Sequence, residues 1–558
     1  MNNTESEYIW YNAISKSFLE KDYLLPGQTL NQRVNEICHS FKKYLELKLS
    51  RIDAHTIVST FKDNFKKGFY SLSTPVWTNY GTGRGDPISC FGSYLSDNME
   101  SILYTQAEIG MMSKRGGGTS VYLGKLRERG APIKNNGKSS GSVHFAQLFE
   151  KQIQVISQGS SRRGNCAVYL DIDHPDIKEF LGIKSVGHPI QDLSFGVCIP
   201  EGWMQSMIDG DNGKREIWAK VIESRFQTGY PYIWFLDNVN INAPDAYRDK
   251  KRRITHSNLC SEIALSDSDD ESFVCCLSSM NLLHYDKWKD TDAAEILVYF
   301  LDSVMEEFIQ KTEGVMFMDR AHKFAKNQRA LGLGTLGWHS LLQSKMISFE
   351  SMEAKFLNTE IFANLQKKTL AASKRLAELF GEPEMLKGYG RRNTTLMAIA
   401  PTKSSSAILG QVSEGIEPIK SNYFVKDLAK TKFSFKNAEL EKILEGKGKN
   451  TEAIWDQILK DGGSVKNLEC LTDEEKAIFK TFEEISPKEI IIQASARQRY
   501  IDQGQSLNLM IHPKTPIKDV NALLIEAWRM GIKGLYYQFS INASRSLITD
   551  ILDCKNCQ

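Results

Sequence analysis

Short apolar segments that alternate with helical segments are the feature that most constrains the fold of this 558-residue chain. Residues 167–170 and 193–197 have the length and composition of buried strands. Apolar residues recur at helical spacing in 202–209, 293–310 and 352–380. Strands that alternate with helices predict parallel strands joined by helical crossovers, and therefore an α/β fold.

Three regions depart from this alternation. Residues 1–85 are predicted to form a helical N-terminal region, because apolar residues such as Ile37 and Phe41 recur at helical spacing among many charges. Residues 71–140 are rich in Gly, Ser, Thr and Pro, which indicates loops that lead into strands. Residues 425–485 are rich in Lys and Glu and are predicted to be helices of a peripheral insertion.

Composition excludes several classes of protein. Seventy Lys and Arg against 68 Asp and Glu leave a net charge of +2, which provides no global field for nucleic acid or anionic lipid. No apolar run approaches the length of a membrane span, and the N-terminus lacks the features of a secretory signal. The 10 cysteines are thinly spread, unlike a secreted disulfide framework. We therefore expect a cytoplasmic protein that binds neither nucleic acid nor membrane.

A Cys-x-x-Cys pair, Cys554 and Cys557, lies at the end of the sequence. Such a pair is a redox couple or half of a zinc site. No second Cys or Cys/His pair at ligand spacing accompanies it, which favours a dithiol on a flexible tail, residues 546–558.

Asn258, Cys260 and Glu262 form a second candidate cluster. On an extended segment, period-two spacing would direct an amide, a thiol and a carboxylate to one side. The alternative is that Cys260 is a small buried hydrophobic residue and Glu262 a solvated charge.

Three other signals are ambiguous by themselves. Tyr536 and Tyr537 are adjacent, and adjacent tyrosines in a strand usually pack on its two faces. Residues 401–406 form a hydroxyl-rich turn that could hold a phosphate at the start of a helix, or could simply cap that helix. Asp97 could be a helix N-cap, and its local sequence fits this role as well as it fits a contact with a ligand.

Taken together, these motifs resemble the large catalytic subunit of class I ribonucleotide reductase. The markers occur in the order of that family over most of the chain: Ser89-Cys90, Asn258 to Glu262, Cys275 with Leu277-Ser278, Pro401 to Ser406, Gly415-Ile416-Glu417-Pro418, Ile501 to Asn508, Tyr536-Tyr537 and the terminal dithiol. The resemblance implies a ten-stranded α/β barrel over residues 86–545. It would be built as two five-stranded halves, with the radical cysteine on a central loop.

The resemblance also implies a role for each matching residue. Cys260 matches the cysteine whose thiyl radical activates the ribose, and Asn258 and Glu262 match the residues that hold and deprotonate the 3′-hydroxyl. Cys90 and Cys275 match the pair that supplies the reducing equivalents and closes to a disulfide. Cys276, adjacent to Cys275, falls one place out of register and is expected to be structural.

Two further pairs would connect this site to partner proteins. Cys554 and Cys557 match the shuttle that regenerates the disulfide by thiol exchange, with thioredoxin or glutaredoxin as electron donor. Tyr536 and Tyr537 match the stacked tyrosines that relay a radical from a small subunit. An adenosylcobalamin-dependent reductase makes its radical locally and needs no such relay, and no motif for a C-terminal glycyl radical is found.

Nucleotide contacts follow from the same resemblance. The substrate phosphates would be held by four hydroxyl groups, those of Thr74, Ser89, Ser404 and Ser405. The specificity site for dNTP or ATP effectors, with Mg²⁺, is matched by Asp97, Lys125, Arg127, Gln158 and Arg162. Lys403 departs from the small or acidic residue that the family often has there, and its charge would favour phosphate.

The implied activity is reduction of ribonucleoside diphosphates to deoxyribonucleoside diphosphates by a homodimer. No cofactor is expected in this chain, because the small subunit supplies the radical. Residues 1–89 leave no room for a separate ATP-binding activity domain, so we expect specificity control without a dATP off-switch. The alternatives are an adenosylcobalamin-dependent reductase, a non-catalytic nucleotide-binding subunit and a metal-binding redox protein. The intact cysteines and Glu262 argue against the non-catalytic subunit.

Overall fold

The computed structural model describes residues 7–158, 163–428 and 431–540. The strands are β1 Tyr70–Leu72, β2 Cys90–Gly92, β3 Gly118–Tyr122, β4 Pro132–Ile133, β5 Gly137–Lys138, β6 Asn165–Asp171, β7 Ser194–Ile199, β8 Tyr232–Phe235, β9 Phe273–Asn281, β10 Leu331–Leu336, β11 Tyr423–Leu428, β12 Thr431–Lys436, β13 Leu509–Ile511, β14 Gly534–Leu535 and β15 Gln538–Ser540.

Helices connect and surround these strands. They are α1 Ala13–Asp22, α2 Leu30–Leu45, α3 Arg51–Lys66, α4 Thr74–Asn79, α5 Met99–Lys114, α6 Ser142–Val155, α7 Ile177–Phe180, α8 Trp203–Asp209, α9 Asn212–Thr228, α10 Leu236–Ile241, α11 Asp245–Asp249, α12 Tyr285–Trp288, α13 Ala293–Thr312, α14 Asp319–Gln328, α15 Trp338–Ser344, α16 Met352–Phe380, α17 Lys403–Ile408, α18 Ala438–Gly446, α19 Glu452–Lys460, α20 Asp473–Ile478, α21 Pro487–Gln498 and α22 Ile517–Arg529. Among the helices described, none has both the length and the apolar composition to cross a membrane.

Five parallel strands form the first part of a nine-stranded sheet. Each of β2, β3, β6, β7 and β8 pairs in parallel with the next. Helices α5 to α9 provide the crossovers between them. Nearly every residue of these strands is buried, as expected of parallel strands covered on both faces. The predicted parallel strands with helical crossovers are confirmed.

Strand β9 reverses the direction of the sheet. Its first residues pair antiparallel with β2, and its later residues pair antiparallel with β1 and parallel with β10. Isolated parallel bridges, Leu333 with Met397 and Ile399 with Gln505, extend the pairing beyond β10.

The other edge of the sheet also reaches residues 505–507. β14 pairs antiparallel with β8, and β13 pairs parallel with β15. Tyr536 N donates to Leu507 O at 2.9 Å. Backbone hydrogen bonds therefore run round a curled sheet, and the fold is an α/β barrel.

The N-terminal helices pack directly on the barrel helices. Phe41 of α2 and Phe61 of α3 contact Phe300 of α13 at ring-centroid distances of 5.4 and 4.6 Å. α2 begins with a capping box, in which the Thr29 and Gln32 side chains bond each other's backbone N–H groups. These helices share one continuous hydrophobic core with the sheet.

Helix α5 corrects the expectation that residues 71–140 are loops. It has 16 residues, and Asn98 is its N-cap, accepting from Ser101 N at 2.8 Å. Helix α5 is buried on more than one side, so its apolar residues do not form a single stripe. Without that stripe, the Gly- and Ser-rich segments on either side of it led to the prediction of loops. Asn98 also takes the capping role that the sequence equally allowed for Asp97.

The insertion predicted at 425–485 contains the helices α18, α19 and α20, but its beginning is a hairpin. The helical prediction is wrong for β11 and β12, which pair antiparallel from Tyr423 with Lys436 to Leu428 with Thr431. Phe424 and Phe435 stack across this pair at 4.8 Å, a cross-strand contact that outweighs the local charge pattern. The insertion has its own hydrophobic cluster, formed by Leu440, Leu444, Trp455, Ile458, Val465, Leu468, Leu471, Ile478 and Phe479.

Candidate active site

A buried loop, residues 254–266, carries the three residues of the second candidate cluster. This central loop has no helix or strand, and Ser261 N donates to Asn258 O at 3.3 Å to close a turn. Ser261 has a left-handed φ of 62°. The three side chains therefore meet through a turn and not through the period-two spacing of an extended segment.

Asn258 shows why the loop turns here. Its Oδ1 accepts from Glu262 N at 3.1 Å and from Ile263 N at 3.2 Å. Buried backbone N–H groups without sheet partners need another acceptor, and a folded-back asparagine side chain supplies it.

A small cavity lies at the tip of this turn. It is lined by Ser89, Cys90, Gly118, Asn258, Leu259, Cys260, Glu262, Leu277 and Pro401. The structure therefore brings together the predicted thiols Cys90 and Cys260 with the predicted amide and carboxyl groups.

Residues outside the predicted cluster hold the central loop in place. Ser506 Oγ donates to Cys260 O at 2.5 Å and lies 3.2 Å from Glu262 Oε2. Gly504 N donates to Glu262 O at 2.7 Å, and Tyr169 Oη donates to Asn258 O at 2.7 Å. No role was predicted from sequence for any of these three residues, although Gly504 and Ser506 lie in one of the family markers.

Burial changes the acidity of the carboxyl group in the cavity. Glu262 is 1% exposed, and this burial raises its pKa to about 7. A group with a pKa near the working pH can both take up and release a proton. Glu262 therefore has the acidity of a general base at neutral pH.

Cys90 and Cys275 lie opposite each other on the neighbouring strands β2 and β9. They are directly opposite in the antiparallel pairing of β2 with β9, and both are reduced thiols. Directly opposite residues have Cα atoms about 4.5–5.5 Å apart, within the range that a disulfide requires. Cys276 follows Cys275 in the strand, so its side chain points to the opposite face. The structure thus distinguishes the two adjacent cysteines.

Gln503 links the thiol of Cys275 to the central loop. Its Nε2 lies 3.3 Å from Cys275 Sγ and 2.9 Å from Leu331 O, and its Oε1 accepts from Ala264 N at 3.1 Å. Burial raises the pKa of Cys275 well above that of a free thiol. Cys275 therefore stays protonated, the form that carries a transferable hydrogen.

The adjacent tyrosines lie beside the residues that hold the loop. The rings of Tyr536 and Tyr537 are 4.2 Å apart between centroids, at an interplanar angle of 55°. Tyr536 N bonds to Leu507 O, next to Ser506, and Tyr537 N donates to Asn508 Oδ1 at 3.1 Å. The pair is therefore connected to the backbone segment that contacts Cys260.

Two further tyrosines, which sequence reasoning missed, complete an aromatic cluster. Tyr232 packs on Tyr536 at 4.7 Å, and Tyr230 Oη lies 2.9 Å from Tyr537 Oη. Tyr232 begins β8 and Tyr230 lies two residues before it, a spacing that resembles ordinary strand packing, so only the tertiary contact identifies them.

Asn508 also joins this cluster to a second buried carboxyl group. Its Nδ2 donates to Glu417 Oε1 at 2.6 Å, and burial raises the pKa of Glu417 to about 7. Glu417 lies in one of the family markers, and no role was predicted for it from sequence.

The predicted phosphate contacts lie on two elements. Ser404 and Ser405 are in the first turn of α17, where helix N–H groups are available to an anion, and Thr402 Oγ1 accepts from Gly415 N at 2.7 Å to hold that turn. Ser89 lines the cavity, and Thr74 begins α4 after β1.

Of the predicted effector-binding residues described by the structure, Asp97 and Arg127 bond to each other, and Lys125 and Gln158 contact other residues. Arg127 Nε donates to Asp97 Oδ2 at 2.7 Å, and Lys125 Nζ lies 3.8 Å over the ring of Tyr94. The side-chain amide of Gln158 packs closely against Gly85 and Gly116. A Cβ atom added to either glycine would lie 2.6 or 2.4 Å, respectively, from that amide.

Three predicted residues, Arg162, Cys554 and Cys557, lie outside the described residues. Within the described ranges, no group of three or more His, Cys, Asp or Glu side chains is arranged to hold a metal ion.

Comparison with known proteins gives consistent matches. The family model of the ribonucleotide reductase barrel domain matches residues 88–214, 213–385 and 383–538. The putative ribonucleoside-diphosphate reductase large subunit of Frog virus 3 (isolate Goorha) is 36% identical over 504 residues, covering 86% of this chain and 87% of the relative. The large subunit of Invertebrate iridescent virus 3 is 30% identical over 562 residues, covering 87% and 88% of the two chains.

A solved structure matches over almost the entire chain. The Actinobacillus ureae class Id ribonucleotide reductase alpha subunit superimposes with a TM-score of 0.90 at 52% identity, covering 96% of this chain and 98% of that chain. The chain therefore belongs to the ribonucleotide reductase family, as a class I large subunit.

Proposed function

We propose that this chain reduces ribonucleoside diphosphates to deoxyribonucleoside diphosphates by a thiyl-radical mechanism. The observation that carries the proposal is the cavity in which Cys260 lies with Asn258, Glu262 and Cys90. Family membership supports the same reaction, since the relatives named above are ribonucleoside-diphosphate reductase large subunits.

The first step activates the ribose. A thiyl radical on Cys260 takes the hydrogen from the ribose 3′ carbon, which restores the Cys260 thiol and leaves a carbon radical. Glu262 takes the proton of the 3′-hydroxyl, and its raised pKa suits this role at neutral pH. Asn258 holds the turn that directs these two groups into the cavity.

The second step removes the 2′-hydroxyl as water. Cys90 and Cys275 lose two hydrogen atoms in total and become one disulfide, while the ribonucleotide loses one oxygen atom. At the end, Glu262 returns its proton to the 3′ oxygen and the hydrogen held by Cys260 returns to the 3′ carbon, so the carboxylate and the thiyl radical are both regenerated. The opposed positions of the two thiols across β2 and β9 support their role as the reducing pair.

Partner proteins complete the cycle. The radical would come from a small subunit through Tyr537 and Tyr536, whose ring contact supports a relay. Thioredoxin or glutaredoxin would reduce the disulfide through Cys554 and Cys557. The eight described cysteines are reduced thiols, which suits a reducing cytoplasm.

Effectors and a second copy of the chain are part of the proposal. Asp97 and Arg127 would bind a dNTP or ATP effector with Mg²⁺, together with Lys125, Gln158 and Arg162. The exposed apolar side chains Met99, Leu103 and Val155 on α5 and α6 support a homodimer through these helices. The barrel would have ten strands in two five-stranded halves, and the backbone bonds beyond β10 and β8 support this count.

Substitution of the radical cysteine tests the proposed function. The wild-type chain, mixed with its small subunit, reductant, effector and a ribonucleoside diphosphate, should form deoxyribonucleotide. Cys260→Ser should lower this rate at least about a thousandfold, because a serine hydroxyl is much harder to oxidise to a radical. Substrate affinity, measured by equilibrium binding, should stay close to wild type. Turnover by the serine variant would contradict the assignment.

A further inference from the structure

Tyr230 contacts the hydroxyl end of Tyr537, and the relay described above does not use it. The two phenolic oxygens are 2.9 Å apart, and the ring centroids are 5.1 Å apart at an interplanar angle of 78°. This separation is that of a normal O–H···O hydrogen bond. Tyr230 is only 8% exposed and lies just before β8.

Neighbouring side chains hold the Tyr230 ring in position. Phe195 stacks on it with a centroid distance of 5.4 Å and an angle of 12°. Lys184 Nζ lies 4.9 Å over the ring, and Ser194 Oγ lies 3.2 Å from the Tyr230 hydroxyl. Since a phenol can donate one hydrogen bond and accept others, Tyr230 can bond to Ser194 and Tyr537 at once. The contact with Tyr537 is therefore preorganised.

We propose that Tyr230 is a third redox-active tyrosine of the relay, which exchanges a hydrogen atom with Tyr537 across their shared hydrogen bond. The inference rests on the proposed function, because the one-electron oxidant is the radical of the small subunit.

The exchange balances in atoms and electrons. When Tyr230 carries the radical, the O–H bond of Tyr537 breaks and an O–H bond forms on Tyr230. The radical is then on Tyr537, and the net charge of the pair is unchanged. Since both partners are phenols, the exchange is close to thermoneutral, and it leaves no unpaired ion in a buried site.

The arrangement of the cluster gives the radical a continuous path. From Tyr537 the contact continues to Tyr536 at 4.2 Å between ring centroids. The backbone at Tyr536 bonds to Leu507, beside the serine that contacts the Cys260 carbonyl. Tyr230 extends this path by one residue beyond Tyr537.

Radical trapping tests the proposal directly. Position 230, position 537 or the control position Tyr389 is replaced by 3-aminotyrosine, which is oxidised more easily than tyrosine. Tyr389 is half-buried and bonds to Asp249 rather than to the cluster. Each variant is mixed with the small subunit, ribonucleoside diphosphate and effector, frozen, and examined by electron paramagnetic resonance. We expect an aminotyrosyl radical at 230 and 537 and none at 389.

The outcomes separate this inference from the proposed function. A trapped radical at 537 without one at 230 would overturn the role of Tyr230 and leave the proposed function intact. A radical at neither position would overturn the proposed function and the inference with it.

A second readout uses the conservative variant Tyr230→Phe, which keeps the ring packing and removes only the hydroxyl. We expect a loss of turnover of at least about tenfold, with unchanged KM for the substrate and unchanged effector affinity. The matched variant Tyr389→Phe should retain full activity. If Tyr230→Phe is as active as that control while Tyr537→Phe is inactive, Tyr230 is not part of the relay.

Discussion

At Glu262, burial raises the pKa of a carboxyl group against the opposing effect of hydrogen bonds from Asn258 and Ser506. The side chain is almost completely inaccessible to water and lies 3.2 Å from Ser506 Oγ. Loss of hydration disfavours the charged form, which is why the pKa rises to about 7. This effect depends on the packing of the central loop and has no signature in the local sequence.

The first prediction concerns catalysis at this residue. Turnover by the wild-type enzyme should rise with pH through about 7, as Glu262 loses its proton and becomes able to act as a base. Glu262→Gln should lower kcat by about 100- to 10,000-fold, the usual contribution of a general base. Its residual activity should lack this rise with pH. A pH profile of the glutamine variant that matches wild type would contradict the role.

The same substitution should change stability in a pH-dependent way. The folded-state pKa of Glu262 lies above the unfolded value, so the folded protein binds this proton more tightly. The contribution of Glu262 to the free energy of unfolding is fully present below about pH 4.5 and is lost as pH rises to about 7. Relative to wild type, Glu262→Gln should therefore gain stability across this window, by about 1.4 kcal/mol for each unit of pKa shift. Urea unfolding at pH 5 and pH 8 measures this, with exposed Glu353→Gln as control.

At the scale of elements, the pairing of β2 with β9 places the reducing thiols. These strands are distant in the sequence, and their antiparallel register puts Cys90 opposite Cys275. A shift of one residue would move Cys276 into the facing position, because side chains alternate between the two faces of a strand. The register therefore determines which thiol can react.

The next prediction uses the two adjacent cysteines as a matched pair. Prereduced Cys276→Ala should form deoxyribonucleotide in a single turnover and then contain a Cys90–Cys275 disulfide. Cys275→Ser should form none, since serine cannot close the disulfide. Product per chain and mass spectrometry of the linked peptides provide the measurement. If Cys276→Ala loses the single turnover and Cys275→Ser keeps it, Cys276 and not Cys275 is the partner of Cys90.

At the scale of the whole molecule, the insertion and the barrel have separate hydrophobic clusters. Trp455 is central to the insertion, where its ring packs on Tyr423 at 5.5 Å and its Nε1 donates to Asn450 Oδ1 at 2.7 Å. The barrel and the N-terminal helices share the other, larger cluster. Local unfolding of the insertion need not open the active site.

The last prediction follows from this separation. Trp455→Ala should destabilise the insertion by about 3–5 kcal/mol, the usual cost of deleting a buried aromatic side chain. Amide hydrogen exchange should become faster in α18 and α19 and stay unchanged in β6 and β7. Trp455→Phe, which retains much of the packing, should have a smaller effect. Equal acceleration in the barrel strands would show that the two clusters unfold as one unit.

Much of the fold was predictable from sequence because periodicity is local. Apolar spacing predicted the long helices α13 and α16 and the strands β6 and β7, which bury the residues that their own pattern indicates. It did not predict the hairpin of β11 and β12, because cross-strand contacts decide that structure. It also missed α5, whose burial on several sides removes the expected stripe.

The sequence by itself determined which chemical groups this protein has: the thiols, Asn258, Glu262 and the adjacent tyrosines, in the order of a known family. Only the tertiary structure decided how those groups meet. The turn at Asn258, the facing of Cys90 and Cys275, and the bond between Tyr230 and Tyr537 all join residues through buried contacts. The last two join segments far apart in the chain, and the turn is held by the distant residues Tyr169, Gly504 and Ser506, so none of the three leaves a periodic signal in one segment alone.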